Sequence, residues 1–260
     1  MSPHNLTDYD EVYEGFDWSD MYAEADWNAP DEINVAHETC DRHADGEGEN
    51  DALVHVSEDG ETTRMTFDEL ARRSDAFAGA LEDADVEQGD RVFSYMPRVP
   101  EHYVALIGTL KRGAVFGGVN ERFGPDGISY RLDDCDASAL VTTSENLDTV
   151  EEALEEAEVD TVLVVGDSEA GGHTSYEEAL EDADDDYDTA RTGGEDDALL
   201  YYTSGTTGLP KGVLHRQRWV VGVAATQHYA VDMGDDDLYW STGDLGWLTG
   251  PINTLGAWFW

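Results

Sequence analysis

Apolar residues recur along this chain at two spacings, and the two alternate. Ala52 to Val56 reads as a short strand, followed by the turn Glu58-Asp59-Gly60. From Thr66 the spacing changes: Leu70, Phe77 and Leu81 fall on one stripe, with Ala71 and Ala78 beside them, as in an amphipathic helix. That helix opens on a capping box, Thr66-Phe67-Asp68-Glu69, in which the threonine accepts from a backbone N–H and the glutamate reaches back. Gly89-Asp90 then turns into a strand from Arg91 to Met96, and Pro97 and Pro100 precede a helix from Glu101 to Lys111, closed by Gly113. The alternation continues with a strand Ala114 to Val119, a helix Asp126 to Asp133 and a strand Ala139 to Thr142. A helix marked by Leu147, Val150 and Leu154 follows, then strands Thr161 to Val165 and Ala198 to Tyr202. Strands alternating with helical segments predict βαβ units and an α/β fold with a mostly parallel sheet. Ahead of this body, residues 1–32 form an acidic, aromatic arm carrying Trp18, Tyr22 and Trp27.

Composition limits what such a fold can do. The 260 residues hold 14 Lys+Arg against 59 Asp+Glu, a net charge of −45, yet 40% are hydrophobic and 10% aromatic. A disordered acidic tail lacks that apolar content, so this is a core-forming protein with an extreme surface. The charge argues against nucleic acid and against anionic membranes, since both need clustered cations. No basic-then-apolar leader appears in Met1 to Trp18 and no run is long enough to span a bilayer, the profile of a soluble cytoplasmic protein. Cys40 and Cys135 make no disulfide framework. Twelve cations are Arg and only Lys111 and Lys211 are Lys, while the carboxylates are dispersed along the chain. Dispersed acid with little lysine resembles the proteins of salt-accumulating archaea. Such a surface repels itself at low ionic strength and is screened in about 1 M salt, where the Debye length is about 3 Å. The other reading of the charge is an acidic interaction surface, which would be localised. The acidic stretch Glu177 to Asp188 lacks EF-hand spacing and reads as a solvated helix and loop. His37, Cys40 and His43 are of zinc-ligand type, but their i, i+3, i+6 spacing does not converge and no fourth ligand is evident, so no metal site is assigned.

The most informative stretch is Leu199 to His215, Leu-Leu-Tyr-Tyr-Thr-Ser-Gly-Thr-Thr-Gly-Leu-Pro-Lys-Gly-Val-Leu-His. An apolar strand runs into Thr203-Ser204-Gly205-Thr206-Thr207-Gly208, four hydroxyls and two glycines in six positions. Glycines let backbone N–H groups approach an anion, hydroxyls add donors, and Lys211 brings a positive charge for phosphate. It is not a Walker A loop, because Lys211 is preceded by Pro210 and followed by Gly212, and the dinucleotide fingerprint is missing. Arg216 and Arg218 lie nearby; ion pairing on a following helix is the favoured reading for both.

As a whole string this loop resembles the signature loop of the adenylate-forming superfamily, which includes acyl-CoA synthetases, luciferases and peptide-synthetase adenylation domains. The likeness extends to Thr66-Phe67-Asp68-Glu69-Leu70, to Gly89-Asp90-Arg91-Val92 with Met96-Pro97-Arg98-Val99-Pro100-Glu101, to Lys111-Arg112-Gly113-Ala114-Val115, and to Tyr130-Arg131-Leu132 through Thr142. It covers residues 33–260 as a partial adenylation domain and implies a doubly wound sheet. Tyr239 to Gly250, containing Asp244-Leu245-Gly246-Trp247-Leu248-Thr249-Gly250, is similar to a segment of acetyl-CoA synthetase and related short-chain enzymes. There the residues at Trp247, Leu248 and Thr249 would help line the acyl pocket. Leu248 stands where Val is usual and Pro251 where His is frequent, which leaves medium-chain acids open. For Trp247 core packing is the alternative reading.

The resemblance implies an AMP-forming ligase: carboxylate + ATP + CoA → acyl-CoA + AMP + PPi, with Mg²⁺ drawn from solvent. Thr203, Ser204, Gly205, Thr206, Thr207, Gly208 and Lys211 would bind the ATP phosphates, and Lys211 would neutralise charge developing there. The family's downstream adenine-binding Tyr-Gly-x-Thr-Glu segment, its ribose-binding Asp and its mobile C-terminal domain with a catalytic lysine do not occur in this sequence. Together with the aromatic end Trp258-Phe259-Trp260, this reads as the N-terminal part of a longer enzyme. The alternative of another class is a phosphate- or nucleotide-binding fragment without catalysis.

Overall fold

The computed structural model describes residues 4–166, 171–204, 208–234 and 237–260. The arm holds two short helices, α1 (Tyr9–Gly15) and α2 (Trp18–Ala23), N-capped by Asp8 and Asp17. Only Met21 of these helices is buried. A π-helical turn, His37–Asp41, runs into α3 (Arg42–Glu47). Strands β1 (Asp51–Val56) and β2 (Thr62–Thr66) form an antiparallel hairpin. Helix α4 (Phe67–Asp83) opens on the expected capping box, with both reciprocal bonds between Thr66 and Glu69 made.

The βα alternation then follows as β3 (Arg91–Tyr95), α5 (Pro100–Lys111), β4 (Val115–Gly118), α6 (Pro125–Asp134), β5 (Ala139–Thr143), α7 (Leu147–Ala153) and β6 (Thr161–Val165). A two-residue strand β7 (Thr174–Ser175) and α8 (Tyr176–Asp182) lead to β8 (Asp197–Thr203) and β9 (Lys211–Arg216). Helix α9 (Trp219–Thr226) and α10 (Thr249–Trp258) complete the order. Pro100 and Pro125 sit in the first turns of α5 and α6, where a missing N–H costs nothing.

The seven-stranded sheet runs β7-β6-β5-β3-β4-β8-β9, parallel throughout except for β9 against β8. Strand periodicity sorts its side chains onto two faces. Val92, Ala139, Val141, Leu163, Leu199 and Tyr201 join a core built with α4, α5, α9 and α10, through Leu70, Phe77, Leu106, Ile107, Val220 and Leu255. Their strand neighbours Phe93, Leu140, Val162, Val164 and Leu200 join a second core with α6 and α7, through Ile128, Leu132 and Val150. Helices on both faces make the sheet doubly wound, as the family resemblance implied.

The structure corrects one element. The residues after the glycine-rich loop form a strand, β9, and Arg216 ends it, while α9 begins only at Trp219. Val213 and Leu214 are exposed on this edge strand, so no buried stripe marks it in the sequence.

Lys111 is the unexpected interior charge. It is 1% exposed, and its Nζ lies 2.6 Å from Asp75 of α4 and 2.7 Å from Asp41 of the π turn. Thr189 donates to the other Asp41 oxygen at 2.6 Å, and the Ala71 carbonyl accepts from the lysine at 3.1 Å. Burial pushes the Asp75 carboxyl up to about 6 despite the cation beside it. Removing one partner of a buried ion cluster strands the others without water. Lys111→Met is therefore expected to cost about 3–5 kcal/mol in chemical denaturation at neutral pH in molar KCl. A negligible loss would show that the two carboxylates reach solvent without it.

Candidate functional site

Because β3, β4 and β8 run parallel, their carboxyl ends, Tyr95, Gly118 and Thr203, share one edge of the sheet. Two segments adjoin that edge. The first is the glycine-rich loop, which is the turn of the β8–β9 hairpin. Thr203 and Lys211 face each other as the last pair of that ladder, and both are exposed. Ser204 follows on one side and Gly208, Leu209 and Pro210 precede Lys211 on the other. Gly208 has φ +130°, a region that favours glycine. Gly205, Thr206 and Thr207 lie outside the described residues.

The charges around the loop are sorted. Among the described residues Lys211 makes no ion pair. Arg216 lies 3.5 Å from Glu195 and 3.7 Å from Asp197, and Arg218 pairs with Glu195. The expected pairing of the two arginines is present, but from the end of a strand and the turn after it. Lys211 is left as the cation at the mouth of the hairpin.

The second segment is the turn from Ser241 to Gly250. Its closest approach to the sheet is main chain against main chain. A Cβ on Gly118 would fall 2.0 Å from the Leu245 carbonyl oxygen, and one on Gly246 would fall 2.5 Å from the Asn120 Cα. Glycine at both places lets the turn lie flat on the end of β4. Asp244 locks it there, accepting from Asn120 Nδ2 at 2.8 Å and from the Gly246 N–H at 2.9 Å. The Tyr201 hydroxyl donates to the Leu245 carbonyl at 2.7 Å, and Arg98 donates to the Thr242 carbonyl.

Beside this turn opens a cleft of about 670 Å³, lined by Arg98, Asn120, Arg122, Trp247, Thr249 and Asn253 among others. Trp247 is 47% exposed and packs one side against Phe123, with ring centroids 5.6 Å apart. Leu248 packs against the main core and is not among the cleft's lining residues. Sequence reasoning assigned nothing to Asn120 or Arg122. The available signal was their place directly after a strand, at the carboxyl edge where ligands of open α/β sheets bind. A larger cavity of about 780 Å³ lies between the arm, β1, α3 and the end of α10. Among the described residues neither space is lined by the glycine-rich loop; only the smaller cleft is bordered by Asn120 and Arg122, just after β4.

Among the described residues, no group of three or more His, Cys, Asp or Glu is disposed to hold a metal ion. His37 stacks on Trp27 and contacts Asp26 at 2.7 Å, His43 contacts the Trp258 carbonyl at 2.6 Å, and Cys40 is buried.

Comparison with known proteins gives the family and the fold. The family model described as AMP-binding enzyme matches residues 40–260. The chain belongs to the AMP-binding enzyme family. It is 34% identical to acetyl-coenzyme A synthetase of Bacillus subtilis over 98% of this chain and 45% of that protein. It is 35% identical to acetyl-coenzyme A synthetase 2 of Pseudomonas aeruginosa over 87% of this chain and 38% of that protein. The crystal structure of Brucella canis acyl-CoA synthetase matches with a TM-score of 0.87 at 30% identity, covering 96% of this chain and 46% of that one. The chain thus spans less than half the length of these relatives. No described helix is long and apolar enough to cross a membrane.

Under the carboxyl edge of the sheet sits a buried histidine. His102 of α5 lies 2.7 Å from the Ser94 hydroxyl, at Nε2, and is fully enclosed. Burial pushes its pKa down from 6.5 to about 4, so it is neutral at pH 7. Between those values the unfolded chain binds a proton that the folded chain refuses. Its contribution to stability is complete above 6.5 and is lost as pH falls toward 4. At about pH 5 the loss attributable to His102 should reach about 2 kcal/mol relative to neutral pH. His102→Gln should remove that part of the slope in denaturation curves across this range. A variant with the wild-type slope would assign the proton uptake elsewhere.

Proposed function

We propose that this chain is the phosphate-binding part of an AMP-forming acyl-CoA synthetase that acts on acetate or another short carboxylic acid. The observation that carries the reading is Lys211, unpaired among the described residues and facing Thr203 at the mouth of the β8–β9 hairpin. The acetyl-CoA synthetase relatives, similar over nearly the whole chain, support the same reading.

The chemistry needs little covalent participation from the protein. A carboxylate oxygen attacks the α-phosphorus of ATP, forming acyl-AMP and releasing pyrophosphate; the CoA thiol then attacks the acyl carbon and releases AMP. Both steps depend on alignment and on neutralising phosphate charge. Lys211 would supply a compact positive charge to the leaving pyrophosphate, while the hydroxyls of Thr203, Ser204, Thr206 and Thr207 and the amides at Gly205 and Gly208 would donate to its oxygens. The hydroxyls of the loop would help hold Mg²⁺ beside the phosphates, where it would neutralise part of their charge. Trp247 and Thr249 border the cleft in which the acid would lie, with Leu248 backing it from the core. The dispersed carboxylates fit a cytoplasm of molar salt, in which charge repulsion is screened.

Magnesium pyrophosphate should bind this 260-residue chain in molar KCl, and Lys211→Ala should weaken that binding about tenfold, or about 1.4 kcal/mol. In the enzyme with the C-terminal half that the relatives carry, the same change should depress acetate-dependent ATP–pyrophosphate exchange. Unchanged affinity in the variant would displace the phosphate site from this loop. Robust exchange by the 260-residue chain alone would show that the missing family segments are not needed. Pyrophosphate binding without exchange, even in the longer protein, would favour the non-catalytic binder.

A further inference from the structure

Helix α6 lies beside the hairpin that carries the glycine-rich loop, and it touches both of the loop's stems. On the incoming strand, the Tyr202 hydroxyl donates to Asp134 Oδ2 at 2.8 Å. On the outgoing side, the Tyr130 hydroxyl donates to the Pro210 carbonyl at 2.8 Å. Tyr130 and Asp134 are four residues apart and so share one face of the helix. The two tyrosine rings also meet edge to face, with centroids 6.1 Å apart. The helix itself is a firm base: Ile128 and Leu132 are fully buried in the second core, and the Arg131 guanidinium sits over the rings of Phe123 and Tyr202.

We propose that Tyr130 is a positioning residue for pyrophosphate recognition, acting by fixing the peptide between Pro210 and Lys211. This rests on the phosphate reading of the loop. Proline fixes φ at residue 210 but leaves ψ free, and ψ sets where the carbonyl points and where the next residue begins. The Tyr130 hydroxyl removes that freedom by holding the carbonyl. Lys211 then leaves the loop in one direction, opposite Thr203, and no carboxylate among the described residues ties down its side chain. The Asp134–Tyr202 bond holds the other stem to the same helix, so the separation of the two stems is set by α6. A helix carrying an acid and a phenol in these places braces both stems, since Asp134 accepts from Tyr202 and Tyr130 donates to the Pro210 carbonyl.

The test compares Tyr130→Phe with wild type, using the whole 260-residue chain in molar KCl. Two readouts are needed: hydrogen exchange of the Lys211 and Gly212 amides, with β3 amides as control, and affinity for magnesium pyrophosphate. Loss of the hydroxyl should speed exchange at Lys211 and Gly212 several-fold, leave β3 unchanged, and weaken pyrophosphate binding about fivefold to tenfold. Asp134→Asn, which keeps an acceptor for Tyr202, should stay near wild type, whereas Asp134→Ala should loosen the incoming stem at Thr203. Faster exchange with unaltered affinity would leave Tyr130 a purely structural tether and overturn its role in recognition. Unchanged exchange and affinity in Tyr130→Phe, beside a wild type that binds, would overturn the positioning role alone. A wild type that does not bind pyrophosphate would overturn the phosphate reading, and this inference with it.

Discussion

A chain with 59 carboxylates and 14 Lys and Arg residues can close a core only if its few cations are placed with economy. Self-repulsion acts on every acidic surface, and screening by salt weakens it only where water and ions reach. Inside, a charge has to be met by a partner. Lys111 meets Asp41 and Asp75 in the interior and so joins the π turn, α4 and α5, the elements that back one face of the sheet. Most arginines are spent on the surface in short-range pairs, as at Arg73 with Glu101 or Arg218 with Glu195. Lys211, without such a pair among the described residues, stands at the carboxyl edge.

That edge is made by backbone more than by side chains. The Ser241–Gly250 turn can rest on β4 only because Gly118 and Gly246 carry no Cβ. Its polar locks, Asp244 with Asn120 and Tyr201 with the Leu245 carbonyl, fix the turn relative to the strand ends. The result places Trp247, half exposed, at the border of a cleft adjoining the residues just after β4. Packing and site geometry are therefore one problem here, since a shift of the turn would move the cleft wall and the strand end together.

The same economy governs the loop. Its hairpin lies at the open edge of the sheet, where Val213 and Leu214 face solvent and contribute little to burial. A structure so lightly packed depends on local bonds to hold its shape, and α6 supplies them through Tyr130 and Asp134. The hairpin is thus anchored at its stems, and Lys211 remains at its mouth.

Local patterning in the sequence determined the parallel strands, the helices between them and the capped start of α4, because periodicity and capping are properties of short segments. The loop's glycines, hydroxyls and lysine suit a surface turn as well as an anion, and it is the resemblance of the whole string that raises the expectation of phosphate there. What the sequence could not supply was pairing between distant segments. Strand β9 has no buried stripe and exists because it hydrogen-bonds to β8; the roles of Asn120 and Asp244 arise only when residues 124 positions apart come into contact. Lys111 read as an ordinary helix-end lysine until the fold enclosed it between two aspartates. Segment identity follows from local periodicity, but a buried charge or a hairpin mouth is defined by what the rest of the chain brings beside it, and that was decided by tertiary structure alone.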